Sequence, residues 1–244
     1  MSSTHDPDRE GYSNRLLTGG SFLTRRSHRS RMDRSLRMLG GSKFATAADV
    51  GAADGWYLRT LVEQGVVGEG VAIDTDAEAL QLAATRVATL PLSFLTPDDP
   101  TLQRRHGTFD LVACLETLEH AEDVSAVLDE VVNLARPAGT ILISVPVEVG
   151  PSVVVKQAGR WLANRGGSYS YERYTWRELW AAGARWKVDG LERQNLHSHK
   201  GFDFRKVKKQ VDERVAIVST AFSPASFLGP VLASTVYWLG SKRT

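Results

Sequence analysis

The stretch Asp49-Val-Gly-Ala-Ala-Asp-Gly55 closes a strand-like run, and Asp74 closes the next such run along the chain. Glycines at positions 51 and 55 allow the backbone to turn sharply and to pass close to a ligand. A carboxylate after the second strand lies where nucleotide-binding folds hold the hydroxyls of a ribose. These two features together predict a cofactor that contains a nucleoside.

The composition is that of one globular α/β domain. The chain has 244 residues, of which 42% are hydrophobic, and its net charge is only +2. The overall charge therefore gives no reason to expect a nucleic-acid partner. Residues 1–43 hold nine arginines and lysines against four acidic residues, which indicates either a solvated arm or a surface for an anionic ligand.

Other features of composition favour a cytoplasmic protein without a membrane span. The N-terminus has no apolar signal segment, and the apolar stretch Ala221–Leu239 is interrupted by prolines at 224 and 230. Cys114, the single cysteine, lies in an apolar run and is predicted to be a buried free thiol.

Strand-like and helical segments alternate after an irregular stretch over residues 1–27. Strands are predicted over Phe44–Val50, Gly70–Ile73, Leu92–Leu95, Phe109–Leu115, Thr140–Val145, Arg185–Arg193 and Ala233–Gly240. Helices are predicted over His28–Leu39, Trp56–Gln64, Ala77–Thr89, Ser125–Ala135, Val153–Ala163 and Phe202–Thr220, with a turn at residues 136–139. A capping box at Thr175–Glu178 is expected to open one more helix, which ends near Gly183. This alternation predicts an α/β fold whose mostly parallel sheet is covered by helices on both faces.

Five motifs in order resemble those of the class I S-adenosylmethionine-dependent methyltransferases. The first motif departs from the family pattern at one position, where Ala53 replaces the central glycine. The matching segments are Asp49–Gly55, Val71–Asp74, Phe94–Asp98, Phe109–His120 and Arg136–Pro146, and the resemblance covers roughly residues 44–193. The resemblance implies a Rossmann-like, seven-stranded sheet with its last strand antiparallel.

The resemblance also implies a role for each matching residue at S-adenosylmethionine. Asp74 is expected to accept from both ribose hydroxyls, and Asp98 from the amino group of the adenine. The expected cofactor-binding residues are Asp49, Gly51, Ala53, Gly55, Asp74, Thr75, Asp98 and Leu115. The methyl group of Ala53 is expected to crowd the ligand.

Histidines provide the candidate acid/base groups for the transfer. A base that removes the proton of a hydroxyl acceptor assists its methylation. His120 follows the fourth predicted strand, whereas His197 and His199 follow the predicted strand at residues 185–193. If that strand is parallel to the others, the three histidines converge, and with Glu116 they are the candidate catalytic residues.

The string Glu116-x-x-Glu119-His120 has a second possible use. On one helical turn these three side chains would share a face and could bind a divalent cation such as Mg²⁺. The string resembles the metal site of the ubiquinone-pathway O-methyltransferases and of the small-RNA 3′-end 2′-O-methyltransferases, where a further histidine joins. Family members without metal also carry it, so pocket shaping, acid/base work and a structural role remain open.

The domain organisation predicted is an arm and helix over residues 1–43, followed by a methyltransferase domain over residues 44–244. Insertions at about 147–174 and 198–232, which would follow the fifth and sixth strands, are expected to act as lids that select the acceptor. The function favoured is O-methylation of a small hydroxylated acceptor, such as a sugar or a secondary metabolite. Methylation of an RNA ribose and a cofactor-binding scaffold without catalysis are the alternatives.

Overall fold

Seven strands form one mixed sheet in the computed structural model, which describes residues 22–163, 174–191, 199–224 and 226–243. The strands are β1 (Phe44–Val50), β2 (Val67–Ile73), β3 (Leu92–Leu95), β4 (Phe109–Leu115), β5 (Ala135–Pro146), β6 (Val215–Ser223) and β7 (Thr235–Lys242). Their order in the sheet is β3-β2-β1-β4-β5-β7-β6. β1 pairs in parallel with β2 and β4, whereas β7 runs antiparallel to both of its neighbours. The predicted α/β sheet with an antiparallel last strand is confirmed.

Helices occupy most of the connections between these strands. They are α1 (Phe22–Leu39), α2 (Trp56–Glu63), α3 (Ala77–Arg86), α4 (Pro100–Gln103), α5 (Val124–Leu134), α6 (Pro151–Ala163), α7 (Trp176–Gly183) and α8 (Phe204–Arg214). Within the described ranges, none of them combines the length and apolar composition that a bilayer crossing requires.

The first of two compact units comprises residues 1–113 and 134–139. Most of its buried strand positions carry alanine or a branched aliphatic side chain, as expected for parallel strands covered on both faces: Ala47, Ala48, Val71, Ala72, Ile73, Leu111 and Val112. The carboxylate of Asp110 accepts from the N–H groups of Ala45 (2.9 Å) and Thr46 (3.0 Å), and from the guanidinium of Arg136. Burial alone would raise the pKa of Asp110, but these hydrogen bonds outweigh it and lower the pKa.

The second compact unit comprises residues 114–133 and 140–244. Its core includes the central residues of β5 and β7 and one face of α8: Ile141, Leu142, Ile143, Val236, Tyr237, Trp238, Phe204, Val207 and Val211. Cys114, the single cysteine of the chain, is buried, as predicted.

Helices α6 and α7 form a helical hairpin in this second unit. The N–H group of Gly150 donates to the carbonyl of Ala182 (2.8 Å), which places the start of α6 beside the end of α7. The predicted capping box is confirmed, because the Thr175 hydroxyl accepts from the Glu178 N–H group and the Glu178 carboxylate accepts from the Thr175 N–H group. The predicted end of this helix at Gly183 is confirmed as well.

Two predictions for the C-terminal part of the chain are wrong. No strand occurs in the described part of residues 185–193, where Trp186 (φ 55°) and Gly190 (φ 81°) adopt left-handed backbone that an extended strand excludes. The helix predicted over residues 202–220 ends at Arg214, and the β-branched residues that follow belong to β6. The sixth strand therefore lies inside the second predicted insertion, rather than before it.

Several smaller boundaries also differ from their predictions; β2, for example, begins at Val67 rather than at Gly70. Helix α1 begins at Phe22 instead of after residue 27, since no glycine or proline interrupts residues 22–28. The turn predicted at residues 136–139 belongs to β5, although Ala138 there has a positive φ of 59°.

Candidate functional site

The loop between β1 and α2, residues 51–55, lies close against the end of β2. The N–H groups of Gly51 (2.8 Å) and Ala52 (3.0 Å) both donate to the carbonyl of Ile73. A Cβ atom at Gly55 would lie 2.8 Å from a ring carbon of Phe94, and Gly55 has a φ of 67°. Close approach and backbone conformation therefore both require glycine at position 55.

Asp74 joins this loop to the end of β2. One carboxylate oxygen accepts from the N–H group of Ala53 (2.7 Å), and the other accepts from the N–H group of Asp76 (3.0 Å). A carboxylate has about four acceptor positions, so these two bonds leave capacity for two more donors. Two adjacent hydroxyls of a ribose are such donors, and the arrangement fits a nucleoside.

Ala53 occupies the position at which the sequence departs from the family motif. Its φ is 48°, a left-handed conformation that a glycine adopts without strain. The alanine therefore follows the backbone path of the glycine that it replaces, at a cost in conformational strain.

Asp49 is buried beside the same loop, near the end of β1. It is 3% exposed, and burial first, then the charge of Asp74, raises its pKa to about 8. The Asp49 carboxyl is therefore protonated at neutral pH. A buried carboxyl with a strongly raised pKa at a strand end is typical of a functional site.

The remaining predicted cofactor residues lie at strand ends. Thr75 is exposed between β2 and α3, and Asp98 is exposed in the turn before α4. Gly55 is the N-cap residue of α2 and supplies no side-chain hydrogen bond, so the N-terminal turn suits an anionic group such as a carboxylate. Leu115, which belongs to the second unit, is half-buried at the end of β4.

A cluster of Glu119, His120 and His199 lies in the second unit. One potential ligand atom from each residue lies within 4.8 Å of the others. The Nε2 atom of His120 is 3.9 Å from a carboxylate oxygen of Glu119, and the imidazole rings of His120 and His199 meet edge to face with centroids 5.1 Å apart. Glu119 is buried, whereas both histidines are half-buried. The structure thus brings together three of the predicted residues, and His197 lies outside the described residues.

Glu116 is held in a different way. The predicted helical turn over residues 116–120 is absent, because Glu116 has a φ of 54° and residues 118–120 form a turn. Its N–H group donates to the carbonyl of Ser144 (3.0 Å), and its carboxylate accepts from the Ser144 hydroxyl (3.4 Å). The expected sharing of one helical face by Glu116, Glu119 and His120 is therefore wrong.

Lys200, the residue after His199, forms an ion pair that the sequence did not predict. The ammonium of Lys200 is 2.9 Å from the carboxylate of Glu178 and 5.5 Å from the ring centroid of Tyr174. Burial would raise the pKa of Glu178, but the hydrogen bonds from Lys200 and Thr175 lower it. Glu178 therefore caps α7 and also anchors the segment that carries His199. Only its capping role could be predicted from the local sequence.

Comparisons of sequence place this loop in a known domain. Residues 48–143 match the model described as "Methyltransferase domain". An uncharacterized methyltransferase of Mycobacterium tuberculosis strain H37Rv is 33% identical over 95 residues, which are 39% of this chain and 47% of that protein. A ubiquinone biosynthesis O-methyltransferase of Methylococcus capsulatus is 29% identical over 99 residues, which are 40% of this chain and 42% of that protein. The match thus spans less than half the length of these curated relatives.

Solved structures with the same fold include two with bound S-adenosylhomocysteine. The N-methyltransferase NodS from Bradyrhizobium japonicum WM9 aligns with 98% of this chain and 96% of its own, at 16% identity and a TM-score of 0.58. The magnesium protoporphyrin IX methyltransferase from Synechocystis PCC 6803 aligns with 97% and 94%, at 18% identity and a TM-score of 0.54.

The sheet order, the loop after β1 and the matched domain model agree with the class I S-adenosylmethionine-dependent methyltransferases that the five motifs resemble. Residues 48–143 of this chain are similar to the methyltransferase domain family.

The raised pKa of Asp49 predicts a decrease in stability with increasing pH. The unfolded chain releases this proton near pH 4 and the folded chain near pH 8, so the stabilisation is complete below about pH 4 and is lost as the pH rises towards 8. The excess of the neutral variant Asp49→Asn over the wild type in free energy of unfolding should therefore be at least about 1 kcal/mol larger at pH 8 than at pH 5. Urea unfolding at both pH values measures this difference. Asp98→Asn is the surface control, and an equal pH dependence in the wild type and in Asp49→Asn would contradict the prediction.

The left-handed backbone of Ala53 predicts opposite effects of glycine at two adjacent positions. Ala53→Gly removes strain and should raise the free energy of unfolding by about 0.5 kcal/mol, after the entropic cost of glycine. Ala52→Gly, at a buried position with negative φ, should lower it by about 1 kcal/mol. Thermal unfolding of both variants tests the prediction, which fails if Ala53→Gly is the more destabilising of the two.

Proposed function

We propose that this chain transfers the methyl group of S-adenosylmethionine to an oxygen atom of a small hydroxylated acceptor, such as a sugar or a secondary metabolite. The observation that carries the choice of oxygen is the cluster of Glu119, His120 and His199. An imidazole beside a buried carboxylate is a group that removes a proton from a hydroxyl as that hydroxyl attacks.

The cofactor residues of the proposal are those that the motifs predict. S-adenosylmethionine, when bound, supplies an electrophilic methyl group on a sulfonium. The acceptor capacity left on Asp74 suits the ribose hydroxyls, and the N-terminus of α2 suits the carboxylate of the methionine end. The proposed set is Asp49, Gly51, Ala53, Gly55, Asp74, Thr75, Asp98 and Leu115.

His120 is the proposed general base. It is half-exposed and can meet an acceptor, whereas Glu119 is buried 3.9 Å away and stabilises the imidazolium that forms when the proton is taken. His199 orients the His120 ring through its edge-to-face contact. Glu116 and His197 stay candidate catalytic residues by prediction only.

The relatives give partial support to an oxygen acceptor. The ubiquinone biosynthesis O-methyltransferase of Methylococcus capsulatus is 29% identical to this chain over the matched segment. The identity of its acceptor is a property of that enzyme and is not carried over to this chain. The conformation of Ala53 favours an active enzyme over a scaffold, because the alanine keeps the loop path that a glycine would take.

As an alternative use of the same cluster, we propose that a divalent cation such as Mg²⁺ binds to Glu119, His120 and His199. His120 would then be a ligand and not the base, because a nitrogen that ligates a metal cannot accept a proton. The ligand atoms of one carboxylate and two imidazoles lie within 4.8 Å of one another and could bind such a cation, although two imidazoles suit a transition metal such as Fe²⁺ or Zn²⁺ better than Mg²⁺. A cation there would hold and polarise neighbouring oxygens of an acceptor.

The general-base role predicts a separation between turnover and cofactor binding. His120→Ala should lower the rate of methyl transfer at least about 100-fold and change the dissociation constant of S-adenosylmethionine less than about threefold. Asp74→Asn should instead raise that dissociation constant at least about tenfold. Transfer from labelled cofactor to a panel of hydroxylated acceptors, together with calorimetric titration, measures both quantities.

His106→Ala is the matched control, since His106 is exposed in the loop before β4. An equal loss of turnover and cofactor affinity in His120→Ala would refute the base assignment. Absence of cofactor binding by the wild type at millimolar concentration would refute the whole function.

The proposed cation site predicts that chelation reduces methyl transfer and that added Mg²⁺ restores it. Binding of Mn²⁺, measured by electron paramagnetic resonance without acceptor or cofactor, should be lost in His199→Ala. Undiminished transfer in excess chelator, with no Mn²⁺ bound by the wild type, would leave the cluster as an acid/base site alone.

A further inference from the structure

The α6–α7 hairpin exposes tryptophan side chains to an unusual extent. Trp176 is 84% exposed, Trp180 is 63% exposed and Trp161 is 58% exposed. Tryptophan is on average a largely buried residue. Three exposed indoles on one helical hairpin therefore indicate a surface that contacts a membrane or another molecule.

Helical spacing aligns these side chains along each of the two helices. Trp176, Trp180 and Gly183 are spaced four and three residues apart on α7 and share one face of the helix. The side chain of Val154 on α6 lies against Gly183, within 2.7 Å of the position of a Cβ atom there. From Val154 the same spacing leads along α6 to Trp161.

Val155, which is 55% exposed, follows Val154 on α6. We call Val154, Val155, Trp161, Trp176 and Trp180 the tryptophan face. It combines bulky aromatic rings with aliphatic side chains, and therefore suits an apolar partner rather than stacked bases.

The hairpin is also strongly basic. Residues 151–187 hold seven arginines and lysines against two glutamates, although the net charge of the whole chain is only +2. One of the two glutamates, Glu178, is engaged by Lys200 at 2.9 Å, and one of the seven cations, Lys156, is engaged by Glu148 at 2.8 Å. Arg177, Arg185 and Lys187 are exposed next to the tryptophan face along the chain.

We propose that the tryptophan face docks on the surface of an anionic lipid bilayer. Indole rings favour the headgroup region, where the apolar ring is desolvated and the N–H group stays hydrated. Flanking cations add attraction to anionic headgroups, as in helices that lie in the plane of the interface. This docking is independent of the proposed methyl transfer.

A second copy of this chain fits the same face less well. A twofold symmetric contact places a patch against itself, so a dimer through this face would bring two basic hairpins together. Like charges facing each other across an interface are destabilising. The local charge therefore favours an anionic surface over self-association.

The test is flotation of the full chain with vesicles of phosphatidylcholine alone or mixed with about one quarter phosphatidylglycerol. We expect binding to the anionic vesicles only, and weaker binding when the salt concentration is raised tenfold. The double variant Trp176→Ala/Trp180→Ala should bind at least about tenfold more weakly. The triple variant Arg177→Gln/Arg185→Gln/Lys187→Gln should lose the preference for anionic lipid.

Val218→Ala is the control, since Val218 on β6 is 77% exposed and lies outside the hairpin; it should bind like the wild type. Because the altered side chains are exposed, unchanged thermal unfolding verifies that each variant is folded. Absence of vesicle binding by the wild type, or full binding by the double tryptophan variant, would overturn the proposal. So would a wild-type dimer in sedimentation velocity that the double tryptophan variant dissociates, since a second copy would then cover the face.

Discussion

The carboxylate of Asp74 holds the loop after β1 to the end of β2, and the predicted cofactor site depends on this connection. The loop contains three residues with positive φ, at positions 51, 53 and 55, and one of them is an alanine. Such a path is not favoured by local preference alone, so the hydrogen bond from Ala53 to Asp74 must stabilise it. Asp49 lies close to this charge. Its burial and the charge of Asp74 keep Asp49 neutral, so the adjacent strand ends carry one negative charge instead of two.

The parts of the fold that the sequence predicted well are those with local signals. The bounds of β1, β3 and β4 agree with their predictions, because short apolar runs there are closed by glycine, proline or polar residues. The starts of helices were predicted equally well where a capping residue marks them. Asp76 accepts from the N–H group of Ala79 (2.9 Å) at the start of α3, and Thr175 caps α7.

The predictions that failed depend on contacts distant along the chain. Strand β6 follows the charged helix α8 without a glycine or proline between them, and antiparallel pairing with β7 determines its extended form. The contact between His199 and His120, 79 positions apart in sequence, was predicted, but from a strand that the described part of residues 185–193 lacks; the Lys200–Glu178 ion pair instead anchors the residue beside His199. Neither a periodic pattern nor a motif spacing encodes such a contact. The left-handed backbone of Glu116 likewise disrupts the helical turn that the string of acids suggested.

Helix α7 links a surface to the histidine cluster through its two faces. Trp176 and Trp180 each lie two residues from Glu178, which is about 200° around the helix, so Glu178 points away from the exposed indoles. The Lys200 side chain is only 10% exposed and that of Glu178 is 24% exposed, so water screens their attraction less than it screens a surface pair. The Glu178–Lys200 contact therefore connects α7 with the residue adjacent to His199. The residue that closes the histidine cluster is thus positioned by a helix whose opposite face is exposed to the surroundings.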